Sequence, residues 1–186
     1  MPAHFRLGGL YEKGLGVKKN LDTARRFYLT AGEAGNAKAL HNLAVLYAEG
    51  IDGKPDYLSA AKWFRKAAGH GVADSQYNLG ILYARGIGVE QNLAEAYRWF
   101  ALAAREGDRE AAKKRDDVGG RLDERSLTAA QAAVQAWAPE PQPEAALQVK
   151  TPPGGWDTAV ATQPAPKRKP PVVGPKLDLS IPRLAQ

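Results

Sequence analysis

The residue types that carry most enzyme chemistry are few in this chain and badly spaced for it. The three histidines, His4, His41 and His70, never stand at the i, i+4 spacing that sets two imidazoles on one helix face for a metal. His41 takes the place that Phe5 and Tyr77 hold 36 residues to either side, so it reads as a packed ring or the edge of a groove. The absence of cysteine removes disulfides, thiolate metal sites and a cysteine nucleophile together. It leaves the compartment open, because such a chain suits oxidising and reducing surroundings alike. Glu106, Glu110, Asp116 and Asp117 lie among lysines and arginines, the pattern of a solvated, salt-bridged helix surface. Gly14-Leu15-Gly16 and Gly86-Ile87-Gly88 have no strand before them, so they lack the context of a dinucleotide loop and read as turns. No serine sits in a nucleophile elbow. The chain is therefore expected not to be an enzyme, with no catalytic residue, metal site or cofactor.

Charge and hydropathy narrow the partners. The net charge is +6, with 20 basic and 16 acidic residues up to Ala138 and 6 and 4 beyond it. The densest basic run, Lys167-Arg168-Lys169, has no aromatic neighbour on which a base could stack, and nucleic-acid binding wants a broader basic face. No apolar run approaches the ~20 residues that span a bilayer. Met1-Pro2-Ala3 opens directly into a helical pattern without a signal sequence.

What must position any functional residue is a repeat. Tyr11, Tyr47 and Tyr83 are spaced by 36 residues, as are Gly35, Gly71 and Gly107. Leu7, Leu43 and Leu79 keep the same register, as do Leu10, Leu46 and Leu82, and Ala31, Ala67 and Ala103. The pairs Phe27-Tyr28, Trp63-Phe64 and Trp99-Phe100 follow it too. Each unit holds two helical patterns. In unit two Ala39, Leu43, Leu46 and Tyr47 form a first apolar stripe, ended by Gly50; Ala60, Trp63, Phe64, Ala67 and Ala68 form a second, closed by Gly71. Asn20, Asp56 and Asn92 precede the second helices as N-caps, and Glu95 adds a capping-box arrangement in unit three. Gly8, Ala44 and Gly80 mark where a helix must approach its neighbour closely. One hairpin cannot bury both its stripes, so units must stack, and the expected fold is an all-α, right-handed α/α solenoid with a concave face.

The segments AHFRLGGLYEKGLGV, ALHNLAVLYAEGIDG and SQYNLGILYARGIGV, followed in turn by ARRFYLTAGEAG, AAKWFRKAAGHG and AYRWFALAAREG, carry a resemblance to the Sel1-like repeat, a longer-period relative of the tetratricopeptide repeat. It covers Ala3 to Gly107. Unit two departs in Ala44 and in Ile51-Asp52-Gly53, unit three in Ser75, and the unit-two departures put one loop conformation in question. The domains expected are three repeats over 1–107 (about 1–35, 36–71 and 72–107), capping helices over 108–138 and a proline-rich tail over 139–186.

The cap begins at Asp108 and continues through a second helix from about Ser126 to Trp137, since solenoids end in units with a polar outer side. At the other end Ala3 enters unit one already at its packing positions, so the chain is expected to be a piece of a longer protein. Eleven of 13 prolines follow Ala138, and a stretch of that composition forms no core; the tail is expected to be largely disordered. Within it, Ala145 to Val149 can lie along the last helices, and Trp156 in PPGGWD is either a peg on its own domain or a partner-binding motif. The run QAWAPEPQP and the P-x-G-G-W-D element after such repeats also resemble the periplasmic C-terminal region of bacterial polar localisation factors. That resemblance implies an envelope scaffold preceded by a coiled coil and a membrane helix.

The expected function is a protein–protein interaction scaffold or adaptor that takes a partner polypeptide on the concave face of the array, in bacterial envelope or cell-pole organisation. A peptidoglycan-binding or cell-wall-enzyme-regulating envelope protein is the alternative, and the periplasm the expected place. Stepping along the first helices beside their apolar stripes gives Arg6, Gly9 and Lys13, then Asn42, Val45 and Glu49, then Asn78, Ile81 and Arg85. Arg6, Lys13, Asn42, Glu49, Asn78 and Arg85 are the candidate partner-binding residues. Asn42 and Asn78 have two open readings: they pair with a bound backbone, or they bond a neighbouring helix and see no ligand.

Overall fold

The computed structural model describes residues 2–147, so Trp156 and the basic run at Lys167 lie outside it. The helices are α1 (Pro2–Lys13), α2 (Leu21–Glu33), α3 (Ala37–Glu49), α4 (Tyr57–Gly69), α5 (Ala73–Arg85), α6 (Leu93–Arg105), α7 (Arg109–Gly119), α8 (Glu124–Ala136) and the short α9 (Glu144–Leu147). No strand occurs among the described residues. Helices α1 to α6 form three hairpins, each first helix packing on its own second helix, and α3 and α5 packing also on the second helix of the preceding unit. The result is the expected α/α solenoid.

Local chemistry sets the helix starts. The side chains of Asn20, Asp56 and Asn92 accept from the backbone N–H groups of Thr23, Ser59 and Glu95 at 2.9, 2.9 and 3.0 Å, which satisfies donors that the first turn leaves without helical partners. Asn36 does the same for Ala39, Asp108 for Glu110 and Ala111, and Asp123 for Ser126. The capping box of unit three forms only by half. Asn92 N–H is already taken by the Tyr83 carbonyl, so the Glu95 carboxylate turns instead to Trp99 Nε1 at 2.9 Å and to Arg98.

The close approaches fall at the small residues. A Cβ at Gly8 would lie 2.6 Å from the Tyr28 ring, and one at Gly80 2.7 Å from the Phe100 ring. The loop of unit two differs from its counterparts as its sequence does. Gly86 ends α5 in the left-handed region at φ 67°, ψ 36°, whereas Gly50 ends α3 at φ 85°, ψ 115°.

The core runs along the middle of the array. Tyr28, Phe64 and Phe100 fill equivalent places on the second helices and are all enclosed; Leu43, Leu46, Leu79 and Leu82 from the first helices cluster with Tyr28 and Phe64, and Tyr77, Ile81 and Val118 with Phe100. Trp63 and Trp99 sit at the core's edge, with Lys66 Nζ 4.9 Å from the Trp63 ring centre and the Arg98 guanidinium 4.7 Å from that of Trp99, a favourable placing of cation over aromatic face. Helices α7 and α8 both pack on α6. They bury Ala111, Val118, Ala130 and Val134 and leave their charged positions mostly outside.

The chain then turns back. From Trp137, half-buried against the core, residues 139–143 run without helix along the ends of the second helices, and α9 follows as a single turn. Pro139 meets Gly71 and Pro143 meets Gly35. The expected boundary at Ala138 thus falls just before a segment that is seated on the repeats. Ala146 is buried beside Gly35 and Asn36, at the junction of units one and two and not along the last helices. A composition that cannot build a core of its own can still lie on one built elsewhere.

Candidate partner-binding face

The residues expected to line the concave face occupy three repeat positions on α1, α3 and α5. The first holds Arg6, Asn42 and Asn78, the second Gly9, Val45 and Ile81, and the third Lys13, Glu49 and Arg85. The structure separates these rows by depth. Val45 and Ile81 are buried. Lys13 and Glu49 are exposed and Arg85 is half-buried, so the third row is an alternating charged edge at the ends of the first helices. Half-buried Tyr11, Tyr47 and Tyr83 lie within two residues of it on the same helices.

The first row is mixed. Arg6 is exposed, but Asn42 is only 8% exposed and Asn78 is fully enclosed. The expectation that both asparagines stand open in the groove therefore does not match their placement. Helices α3 and α5 pack on the second helix of the preceding unit as well as on their own partner, and this stacking encloses the position beside the stripe. Asn42 then pairs with the Tyr28 hydroxyl, the inward reading of that residue.

The cluster around Tyr28 was not visible from spacing alone. Tyr28 donates its hydroxyl proton to Glu12 Oε2, joining α2 to α1. Burial first, and then the bond to Glu12, push the Tyr28 hydroxyl well above its ordinary titration range. The Glu49 carboxyl is raised as well, by loss of solvent and by the Glu12 charge, with Lys19 acting in the opposite direction. Phe64 and Phe100 replace this tyrosine in the later units and Ala48 and Ala84 replace Glu12, so the polar link belongs to the first unit.

His41 follows the packing reading. His41 is enclosed, with Nδ1 2.7 Å from Ser75 Oγ and its ring 5.7 Å from that of Phe64. Ser75 is equally enclosed, so this His–Ser pair cannot be reached by a substrate and ties α3 to α5. No cluster of metal-ligating side chains occurs among the described residues, and no helix there is long and apolar enough to cross a membrane.

The stacked hairpins with their shared register match the Sel1 repeat model three times, over residues 2–36, 37–72 and 73–108. The chain belongs to the Sel1 repeat family. No curated protein sequence matches it. Among solved structures it resembles a Sel1 repeat protein from Oxalobacter formigenes, at 39% identity and a TM-score of 0.60, over 68% of this chain and 51% of that one. It also resembles c5321, a protective antigen of uropathogenic Escherichia coli strains with an SLR fold, at 27% identity and a TM-score of 0.46, over 72% of this chain and 37% of that one. The match thus spans about half or less of either neighbour's length. Sel1 repeats form a protein-interaction fold without catalytic machinery of its own, and the family generally serves as scaffolds that bind protein partners.

Proposed function

We propose that this Sel1 repeat chain is an adaptor whose first-helix face grips a partner polypeptide, in the organisation of the bacterial envelope or cell pole, with the array in the periplasm. The observation that carries the binding surface is the row Lys13, Glu49 and Arg85, three charged side chains at one repeat position on three stacked helices. With Arg6 nearby on α1, the row is basic at both ends and acidic in the middle. It suits an extended segment with acidic residues flanking a basic one, because alternating charge sets register and rejects wrong partners more than it adds raw affinity. Behind this row Asn42 is enclosed and bonds the Tyr28 hydroxyl of α2, and Asn78 is fully enclosed, so neither forms part of the gripping surface. The envelope setting rests on the likeness of the QAWAPEPQP and PPGGWD segments to the periplasmic region of polar localisation factors.

The test is site-specific photo-crosslinking in bacterial cells, with the photoreactive residue at Lys13, Arg85 or, as a control, Lys113 on α7. One discrete polypeptide adduct from the first two positions and none from Lys113 is the expected result. Equal labelling from all three would remove the proposed face. Sedimentation with insoluble peptidoglycan separates the alternative, for which the chain would pellet with the wall independently of any protein.

A further inference from the structure

The turns that join one repeat to the next form a second surface, on the edge of the array away from the charged row, and it is occupied. Residues 139–146 cross two successive turns. At the junction of units two and three, the Glu140 N–H donates to the Gly69 carbonyl at 2.8 Å, and His70 Nδ1 donates to the Glu140 carbonyl at 3.0 Å. At the junction of units one and two, the Ala37 N–H donates to Gln142 Oε1 at 3.1 Å and Asn36 Nδ2 to the Ala146 carbonyl at 3.4 Å. Pro139 and Pro143, four residues apart, rest on Gly71 and Gly35, which stand one repeat apart. At polyproline II rise, four residues reach about 12 Å, enough to pass from one stacked turn to the next.

This is how peptide-recognition sites read extended chains. Hydrogen bonds go to the bound backbone, and proline rings lie on a surface they fit because the chain is already stiff before it binds. The fit depends on missing side chains: a Cβ at Gly35 would come 2.5 Å from Pro143 Cδ. Gly107, the same position in unit three, has nothing near its Cβ direction, so the turn surface exists without the segment that covers it elsewhere. The segment also leaves its site partly unfilled. Beside Glu140, Pro141 and Pro143 lies a groove of about 560 Å³ with Leu40 and Trp63 among its walls and Arg65 and Lys66 bringing positive charge to it.

We infer that the turn edge of this array is a binding track for an extended, proline-punctuated acidic segment of a partner protein, and that residues 139–146 hold it in cis until such a segment displaces them. The groove over Trp63, which Glu33 also lines, offers an incoming chain apolar contacts and the basic side chains of Arg65 and Lys66. A resident held by a short connection competes at an effective concentration in the millimolar range, so the track answers only to a tighter or multivalent ligand. This surface is separate from the charged row, and neither inference depends on the other.

The probe is a fluorescent peptide of sequence APEPQPEAAL, residues 138–147, titrated into the full chain by polarisation. Glu140→Pro removes the N–H given to Gly69 while keeping polyproline geometry, and Ala146→Asp places a charge in an enclosed site, so together they release the resident segment. The released chain should bind the peptide at least about tenfold tighter than the unmodified chain does, and a scrambled peptide of the same composition should not bind. Adding His70→Ala should weaken binding about threefold or more, as loss of one hydrogen bond implies. If the double variant loses its helical circular dichroism, Glu140→Pro alone, at an exposed residue, serves with a smaller gain expected. No binding above the scrambled control would overturn the proposal and make the segment an intramolecular brace. Dimers of the released chain that refuse the peptide would overturn it too, since the occupant would then be a second copy.

Discussion

The first and second repeats carry nearly the same apolar residues and bury them very differently. On α3, Leu43 and Leu46 are 0% and 2% exposed, whereas their counterparts on α1, Leu7 and Leu10, are 37% and 38% exposed. Both helices pack on their own hairpin partner, but only α3 also has the second helix of a preceding unit behind it. Burial in this fold is therefore a property of stacking, which the repeat position of a leucine does not decide by itself. The polar residues obey the same rule, for Asn42 and Asn78 sink into the array while Arg6 at their repeat position stays outside.

The comparison can be broken most severely at its aromatic centre. Phe64 is enclosed between α3 and α5, and Phe64→Ala should cost about 3–5 kcal/mol in chemical denaturation. Leu43→Ala should cost about 2–5 kcal/mol, while Leu7→Ala on α1, at a site already 37% exposed, should cost only about 1–2 kcal/mol. Equal costs for the two leucines would show that stacking is not what buries the first helices.

Two smaller effects sharpen the account. Gly80→Ala pushes a methyl group against the Phe100 ring and should destabilise by about 1–3 kcal/mol. Asn78→Ala, at an enclosed polar site, should cost roughly 1–3 kcal/mol, and a neutral result would return Asn78 to the groove.

The smallest effects are read by pH. The Tyr28 hydroxyl titrates above its ordinary value of 10.0 in the folded chain, so the unfolded chain loses this proton first, and stability should fall as pH rises past about 10. Tyr28→Phe should flatten that fall. The Glu49 carboxyl is also raised, so its contribution to stability is present at acid pH and lost as pH rises through its folded value. Glu49→Gln should remove this slope, a slight change at an exposed residue.

Much of the fold was legible because the 36-residue register writes the same packing instruction three times. Small residues at Gly8 and Gly80, caps at Asn20, Asp56 and Asn92, and the aromatic pairs all state local requirements that any stacked hairpin must meet. What was less legible depends on distant partners. Asn42 and Asn78 lie on the polar side of an amphipathic pattern, and only the nearness of the preceding unit encloses them. Pro139 and Pro143 read as tail by composition, although their spacing of four matches two turns whose glycines lie 36 residues apart. Glu95 has the spacing of a capping box, but Tyr83 had already claimed the N–H it would need.

The proposed binding face is tested most directly by measuring the affinity of the partner recovered by crosslinking for the Lys13→Glu, Arg85→Glu double variant, alongside its melting temperature. The account predicts at least a tenfold loss, about 1.4 kcal/mol, with the melting temperature changed by no more than about 2 °C, as expected for surface positions. Unchanged affinity, or a loss that appears only together with melting of the array, would contradict it.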